Sequence, residues 1–287
     1  MKCFNILECI YYIEKGAYFM KYVAFLDVLG FKDRLKKATH ADAQNYIQHF
    51  SSIIYKNFHN LSNKNSIKGY VFSDSLILYS MDTELINLLD LIKLIQNICK
   101  DEFIEKGFLI RGSITRGAFD EITADNLVNL RKGLIVGSAF IEAYTLESSE
   151  KVIGITLSKT VYEDLYYNNY LKEEIENDNN ISYFIRYIDL DFLLSGRNLY
   201  EFIKLAVESE WRPHYYNAIY LAIKNESNDK KVEDLFIKVE NIIVNIQSKV
   251  GWRALDDFIE NAFSKDVKVG FKKRFLKHIR NKLLNEN

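Results

Sequence analysis

The sequence predicts an α+β protein: a sheet containing antiparallel strands with helices on one face, followed by a helical C-terminal region. Three observations carry this. Short apolar runs rich in branched and aromatic residues alternate with segments of helical periodicity as far as Leu190. Two of the strand-like runs are joined through the polar turn Ser73-Asp74-Ser75, which marks a β-hairpin. Beyond Leu199 the periodicity is almost wholly helical through Leu284.

Taken in order, Tyr22–Leu29 (YVAFLDVL) reads as a buried central strand with Asp27 inside it. Asp33–Asn57 has helical spacing, and a Ser/Asn-rich turn follows over Leu61–Ser66. Lys68–Phe72 and Leu76–Ser80 are the two arms of the hairpin, with the Asp74 carboxylate at its tip. Thr83–Lys106 is a helix with Leu85, Leu88, Leu89, Ile92 and Ile95 on its buried face, and Gly107 ends it. Then come a strand over Phe108–Arg116, a helix over Gly137–Ser148, a strand over Val152–Thr156, a helix over Lys159–Tyr166 and a strand over Tyr183–Leu190. The order βαββαβαβ is that of a palm or ferredoxin-like sheet. The acidic stretch Glu173–Asn180 is expected to be a solvated loop.

The reading divides the chain into an N-terminal extension (1–19), a catalytic domain (20–195) and a helical C-terminal region (196–287), with the boundary at Gly196. The extension is either a short extra helix or a matter of whether Met1 or Met20 is the start. Pro213, the single proline of 287 residues, is expected to start or kink a helix, and Asn225–Lys231 is a polar break. Lys272, Lys273, Arg274, Lys277 and Arg280 form a basic stripe, read as a solvated helix face.

Charge narrows the function. With 38 Lys and Arg against 39 Asp and Glu, the net charge is −1, and the broad cationic surface of a nucleic-acid binder is missing. A polyanionic ligand is expected to be small. No apolar run is long enough to span a membrane and no signal peptide is evident, so a cytoplasmic protein is expected. The three cysteines lack metal-ligand spacing and suit a reducing compartment. No P-loop, GxGxxG or HxxxH motif is present, and no His stands at a spacing that would make a triad with Ser73, Ser75 or Ser113.

An Asp in a buried strand must find a cation or hydrogen bonds, because desolvating a lone carboxylate costs several kcal/mol. If Asp74 lies beside Asp27 on the adjacent strand, the two repel unless a positive charge sits between them. A divalent metal bound to substrate phosphates meets that need; for either Asp alone, a turn-capping role is the alternative.

These residues match a family. Phe25-Leu26-Asp27-Val28-Leu29-Gly30-Phe31 resembles the first metal-binding motif of class III nucleotidyl cyclases, and Val71-Phe72-Ser73-Asp74-Ser75 resembles the second. Leu109–Gly117 (LIRGSITRG) is similar to their Arg-containing strand, and Val136–Ala139 with Ala143–Ser148 (AYTLES) to the helix that follows. The likeness runs from about Tyr22 to Ser158. The transition-state Asn of the ordinary cyclases falls on Ile141, the phosphate-binding Arg of that helix on Thr145, the base-reading Lys on Tyr70 and its companion Asp on Leu134. Adenine recognition in its usual form is therefore lost. The set LDVLGF, SDS, RGSITRG and AYTLES looks more like the pyrimidine nucleotide cyclases of Pycsar antiphage systems.

The resemblance implies a cyclase that converts UTP or CTP to its 3',5'-cyclic monophosphate and pyrophosphate, with two Mn2+ or Mg2+ ions per site. Asp27, Asp74 and the main-chain carbonyl of Val28 are its implied metal ligands, and Arg111 its phosphate-binding Arg. Tyr70 and Phe31 become candidates for substrate contact. Arg116, five residues beyond Arg111 on the same strand, points to the opposite face if the strand is regular, so it is either a second phosphate ligand or a surface charge. A homodimer is implied, with metals on one protomer and base contacts from its partner, as is a separate cyclic-nucleotide-binding effector that responds to the product. Two other readings stay open: a palm-type nucleotidyltransferase that joins nucleotides, and a non-catalytic nucleotide-binding or dimerisation domain.

Overall fold

The computed structural model describes residues 20–122, 134–149, 153–168, 173–177, 180–208, 214–215, 218–219, 222–223 and 226–247. The N-terminal extension, Pro213 and the basic stripe lie outside the described residues.

Strand β1 (Met20–Val28) turns through Gly30, whose φ of 70° is left-handed, into helix α1 (Phe31–Lys37). Helix α2 (His40–His59) is separate from α1 because Thr39 caps it: the Thr39 hydroxyl accepts from the Asp42 amide, and the Asp42 carboxylate accepts from the Thr39 amide. The single predicted helix over Asp33–Asn57 is thus two. The hairpin follows as β2 (Ile67–Phe72) and β3 (Ser75–Ser80), then α3 (Leu85–Lys106), closed by Gly107 at φ 68°. Strand β4 (Ile110–Ala118) leads to a small two-stranded unit, β5 (Asp120–Ile122) with β6 (Leu134–Val136), and to α4 (Ser138–Ser149). The chain continues through β7 (Ile155–Leu157), α5 (Lys159–Tyr167), β8 (Glu173–Asn177) and β9 (Asn180–Ile185). Among the described residues there follow α6 (Leu190–Leu194), α7 (Asn198–Glu208), helical positions at 214–215, 218–219 and 222–223, and α8 (Asp229–Gln247).

The main sheet has seven strands in the order β2-β3-β1-β4-β7-β9-β8, antiparallel throughout except for β4 with β7. Its first part, β1-α2-β2-β3-α3-β4 with spatial order β2-β3-β1-β4, is the split βαβ arrangement of the palm and ferredoxin-like folds. The expected α+β fold is therefore present, with two corrections. Glu173–Asn177 is not a loop: it pairs antiparallel with Asn180–Phe184 at the edge of the sheet, the place where charged sequence is tolerated. The last predicted strand ends at Ile185, because the Asp189 carboxylate accepts from the Phe192 amide at 2.7 Å and starts α6.

Strand alternation gives the sheet two unlike faces. Tyr22, Ala24, Leu26 and Val28 of β1 point into the principal core with α2 and α3. That core continues into the C-terminal helices, where Phe103 of α3 meets Phe192 of α6 and Phe202 of α7 at 5.5 and 5.9 Å between ring centroids. Val23, Phe25 and Asp27 point to the opposite face. That face is partly covered by α4, with Phe25 edge-on to Phe140 and Tyr144.

Candidate active site

Asp27 stands next to the end of β1 on the α4-covered face, in register opposite Ser75 of β3 on one side and Arg111 of β4 on the other. The register is fixed by Leu26 and Val28, which must stay in the principal core; a slip of one residue would bury Asp27 there instead. The Ser75 hydroxyl donates to Asp27 Oδ1 at 3.4 Å.

Asp74 is brought to the same end of the sheet by the hairpin. Phe72 pairs with Ser75, so the turn is the two residues Ser73-Asp74, and Ser73 takes a left-handed φ of 56°. The Asp74 carbonyl accepts from the Val28 amide at 3.1 Å, which ties the turn directly to the residue after Asp27. The two carboxylates are close enough to act on each other. The Asp27 carboxyl is raised above its ordinary range by burial first and by the Asp74 charge second, with Arg111 and the Ser75 hydroxyl opposing. An acidic pair in this state calls for a proton or a cation.

Among the described residues no group of three or more His, Cys, Asp or Glu forms a metal cage. Two carboxylates at a strand end fit a different donor set, that of an oxygen-seeking divalent cation which completes its shell with water and substrate phosphates. Asp27 and Asp74 meet that requirement, and Val28 joins them through the bond from its amide to the Asp74 carbonyl.

Arg111 is half-sheltered beside Asp27 and forms an ion pair through Nε with Oε1 of Glu147 on α4. Glu147 is 5% exposed. Its carboxyl is raised by burial, with Arg111 pulling it back down. Glu147 reaches the sheet because Ala139, Ala143 and Glu147 form one buried stripe at four-residue spacing. The hydroxyls of Ser113 and Thr115 donate to the Ala143 and Ala139 carbonyls at 2.6 and 2.7 Å, fastening α4 over β4. The quartet Glu147, Arg111, Asp27 and Asp74 carries three negative charges and one positive.

The other predicted contacts are distributed differently. Tyr70 lies on β2 opposite Ile77, on the site face, stacked 6.3 Å from Tyr79. Its hydroxyl is raised by burial first, then by the charge of Glu121 on β5 and a hydrogen bond to it. Phe31 is a correction: its side chain is buried under the Gly30 turn against Phe108, at 5.9 Å, so it cannot meet a ligand on the opposite face. Arg116 is not brought to the carboxylates. It points to the other side of the sheet, where its Nη1 donates to both oxygens of Asp164 on α5 at 2.7 and 2.9 Å. The Tyr22 hydroxyl joins that group at 3.0 Å from Asp164 and is pushed up to about 12, by burial and by the Asp164 charge. Ile141 is 66% exposed on the outer side of α4, beside Tyr144.

Glu147 was missing from the sequence-based site. Its one signal was the Ala139-Ala143-Glu147 spacing, which puts a carboxylate on the helix face that small residues press against the sheet.

Neither a protein-family model nor a curated protein matches the sequence. Solved structures similar in backbone include the guanylyl cyclase domain of the RhoGC fusion protein from the aquatic fungus Blastocladiella emersonii, at 12% identity and TM-score 0.48, covering 59% of this chain and 95% of that one. The guanylate cyclase domain of RhGC from Catenaria anguillulae, in complex with GTP, is 11% identical with TM-score 0.47, over 58% of this chain and 95% of that one. The adenylyl cyclase CyaB from P. aeruginosa is 14% identical with TM-score 0.45, over 58% and 94%. At these identities and scores the functional reading rests on this chain's own residues.

Proposed function

We propose that the chain is a nucleotidyl cyclase that converts a pyrimidine nucleoside triphosphate, UTP or CTP, to its 3',5'-cyclic monophosphate and pyrophosphate. The observation that carries this reading is the convergence of Asp27 and Asp74 at one end of neighbouring strands, with Arg111 in register beside them. The order of the four motifs along the chain supports it.

In the reaction the 3'-oxygen of the substrate bonds to its own α-phosphorus. The hydroxyl proton is lost to solvent and the bond to the β-phosphate bridging oxygen breaks. Mn2+ or Mg2+ ions held by Asp27, Asp74 and the Val28 carbonyl would supply Lewis-acid activation of that hydroxyl and charge neutralisation of the leaving pyrophosphate. Arg111, a planar cation fixed on a strand, is suited to the phosphates. Tyr70 offers a ring face and a hydroxyl for a base. It stands where adenylate cyclases carry Lys, and Leu134 stands in place of their Asp, which speaks against adenine; the pyrimidine assignment follows the motif set LDVLGF, SDS, RGSITRG and AYTLES.

The active unit of this reading is a homodimer. Phe72 at the hairpin and Ile141 and Tyr144 on α4 are large apolar side chains exposed around the site, and a second copy would cover them. The product would serve antiviral signalling through a separate cyclic-nucleotide-binding effector. Incubating the purified chain with Mn2+ and each of the four nucleoside triphosphates, with products separated by chromatography and weighed, tests the substrate. A cyclic pyrimidine monophosphate is expected. A cyclic purine monophosphate would overturn the base assignment, and a linear or cyclic dinucleotide would replace the cyclase with a nucleotidyltransferase.

A further inference from the structure

Three charged side chains stand in a row at one end of the site face: Glu147 on α4, Arg111 on β4 and Asp27 on β1. Arg111 lies between two carboxylates, and the structure gives its Nε to Glu147. Glu147 is the more deeply buried of that pair, at 5% against 15% for the Arg111 side chain. The helix that carries it is fastened to β4 by the Ser113 and Thr115 hydrogen bonds, so the carboxylate arrives at a fixed place.

Taking away one partner of a sheltered ion pair leaves a charge that must find compensation. For Arg111 without Glu147, one carboxylate already beside it is Asp27, directly opposite across the β1-β4 ladder. Asp27 has reason to accept it, since the hairpin turn sets a second carboxylate, Asp74, at the same end of the sheet. The resulting pair would set a permanent cation where the divalent ion of the proposed reaction has to bind.

We propose that Glu147 is a positioning residue: by engaging Arg111 it holds the guanidinium off Asp27 and so keeps Asp27 open to a divalent cation. The proposal rests on the cyclase reading, in which Asp27 and Asp74 bind that cation. Glu147 itself touches no substrate. It acts through Arg111.

The test is Mn2+ binding to the full chain without nucleotide, followed by the paramagnetic resonance signal of free Mn2+, so that turnover does not enter. Glu147→Gln should weaken Mn2+ binding about tenfold, the effect of one neighbouring charge newly engaging a carboxylate. Adding Arg111→Met to it should restore binding to within about threefold of wild type, because the competing cation is gone. Arg111→Met alone should bind at least as tightly as wild type. Should Glu147→Gln fail to fold, Glu147→Asp takes its place: it keeps the charge but draws it back from Arg111, and a weakening of Mn2+ binding of the same sign is expected, with wild-type affinity overturning the proposal. Wild-type affinity in Glu147→Gln, a double variant weaker than wild type by about tenfold, or weakened binding in Arg111→Met overturns the proposal alone. A wild-type chain whose Mn2+ binding is absent, or indifferent to Asp74→Ala, removes the cyclase reading and this proposal with it.

Discussion

Asp27 is ionised at a cost, and the sign of that cost can be checked without any substrate. Its carboxyl is raised in the folded chain by burial and by Asp74. A raised group gives stability that is fully present below the unfolded value, 3.8, and is lost as pH rises through the higher folded value. At neutral pH in the presence of a chelator, Asp27→Asn should therefore melt above wild type, and the gap should close as pH falls through the carboxylate range. Thermal melts at a series of pH values measure this; an Asp27→Asn chain that melts below wild type at pH 7 would contradict it. Asp27 was legible in the sequence because an apolar strand explains a carboxylate poorly; Asp74, ordinary by itself in a turn, was legible only as the partner of Asp27. Glu147 was not, because a Glu near the end of a helix reads as solvated unless its spacing from Ala139 and Ala143 is taken as a face. Phe31 was placed by motif position alone, and its side chain packs on Phe108 in the principal core; Arg116 takes the opposite face that strand alternation predicts, where its partner Asp164 on a distant helix left no local signal.

At the scale of elements, the site depends on how closely β1, β4 and α4 approach. A methyl group built on Gly112 would collide with the Leu26 side chain and lie 2.6 Å from the Phe25 carbonyl oxygen. Leu26 and Phe25 flank Asp27 from the N-terminal side, so Gly112→Ala should disturb the β1-β4 ladder beside the site. A loss of about 1–3 kcal/mol in chemical denaturation is expected, the usual cost of forcing extra volume into a packed core. A Gly112→Ala chain as stable as wild type would show that the strands are not held as tightly as described. Helices and the central hairpin were readable from periodicity and turn composition. The elements that were not readable are short or charged: β5 and β6 have three residues each, and the edge strand Glu173–Asn177 has the composition of a loop. Strands of this kind form because neighbours supply hydrogen bonds, which local sequence does not encode.

For the whole molecule, one continuous core joins the sheet to α6, α7 and α8, so the C-terminal helices brace the face opposite the site. The helical character of α7 and α8 was legible; the packing of α6 and α7 against Phe103 was not, because long-range partners leave no local pattern. Among the described residues no helix is long and apolar enough to cross a membrane. The exposed face of α4 is where a second copy is expected. Light scattering should give the mass of a dimer, and Ile141→Glu, which sets a charge on that face, should shift the chain towards the monomer and lower turnover with it. A dimer undisturbed by Ile141→Glu would place the interface elsewhere. The central claim is that Asp27 and Asp74 together make the chain a metal-dependent cyclase, and it is tested most directly by cyclic pyrimidine monophosphate formation with Mn2+ in wild type, Asp27→Asn and Asp74→Asn. Product from wild type, and a fall of ~10³-fold or more in each variant as several kcal/mol of charge stabilisation is lost, is the expected result. No cyclic product from wild type, or equal product from the Asp74→Asn chain, would contradict it.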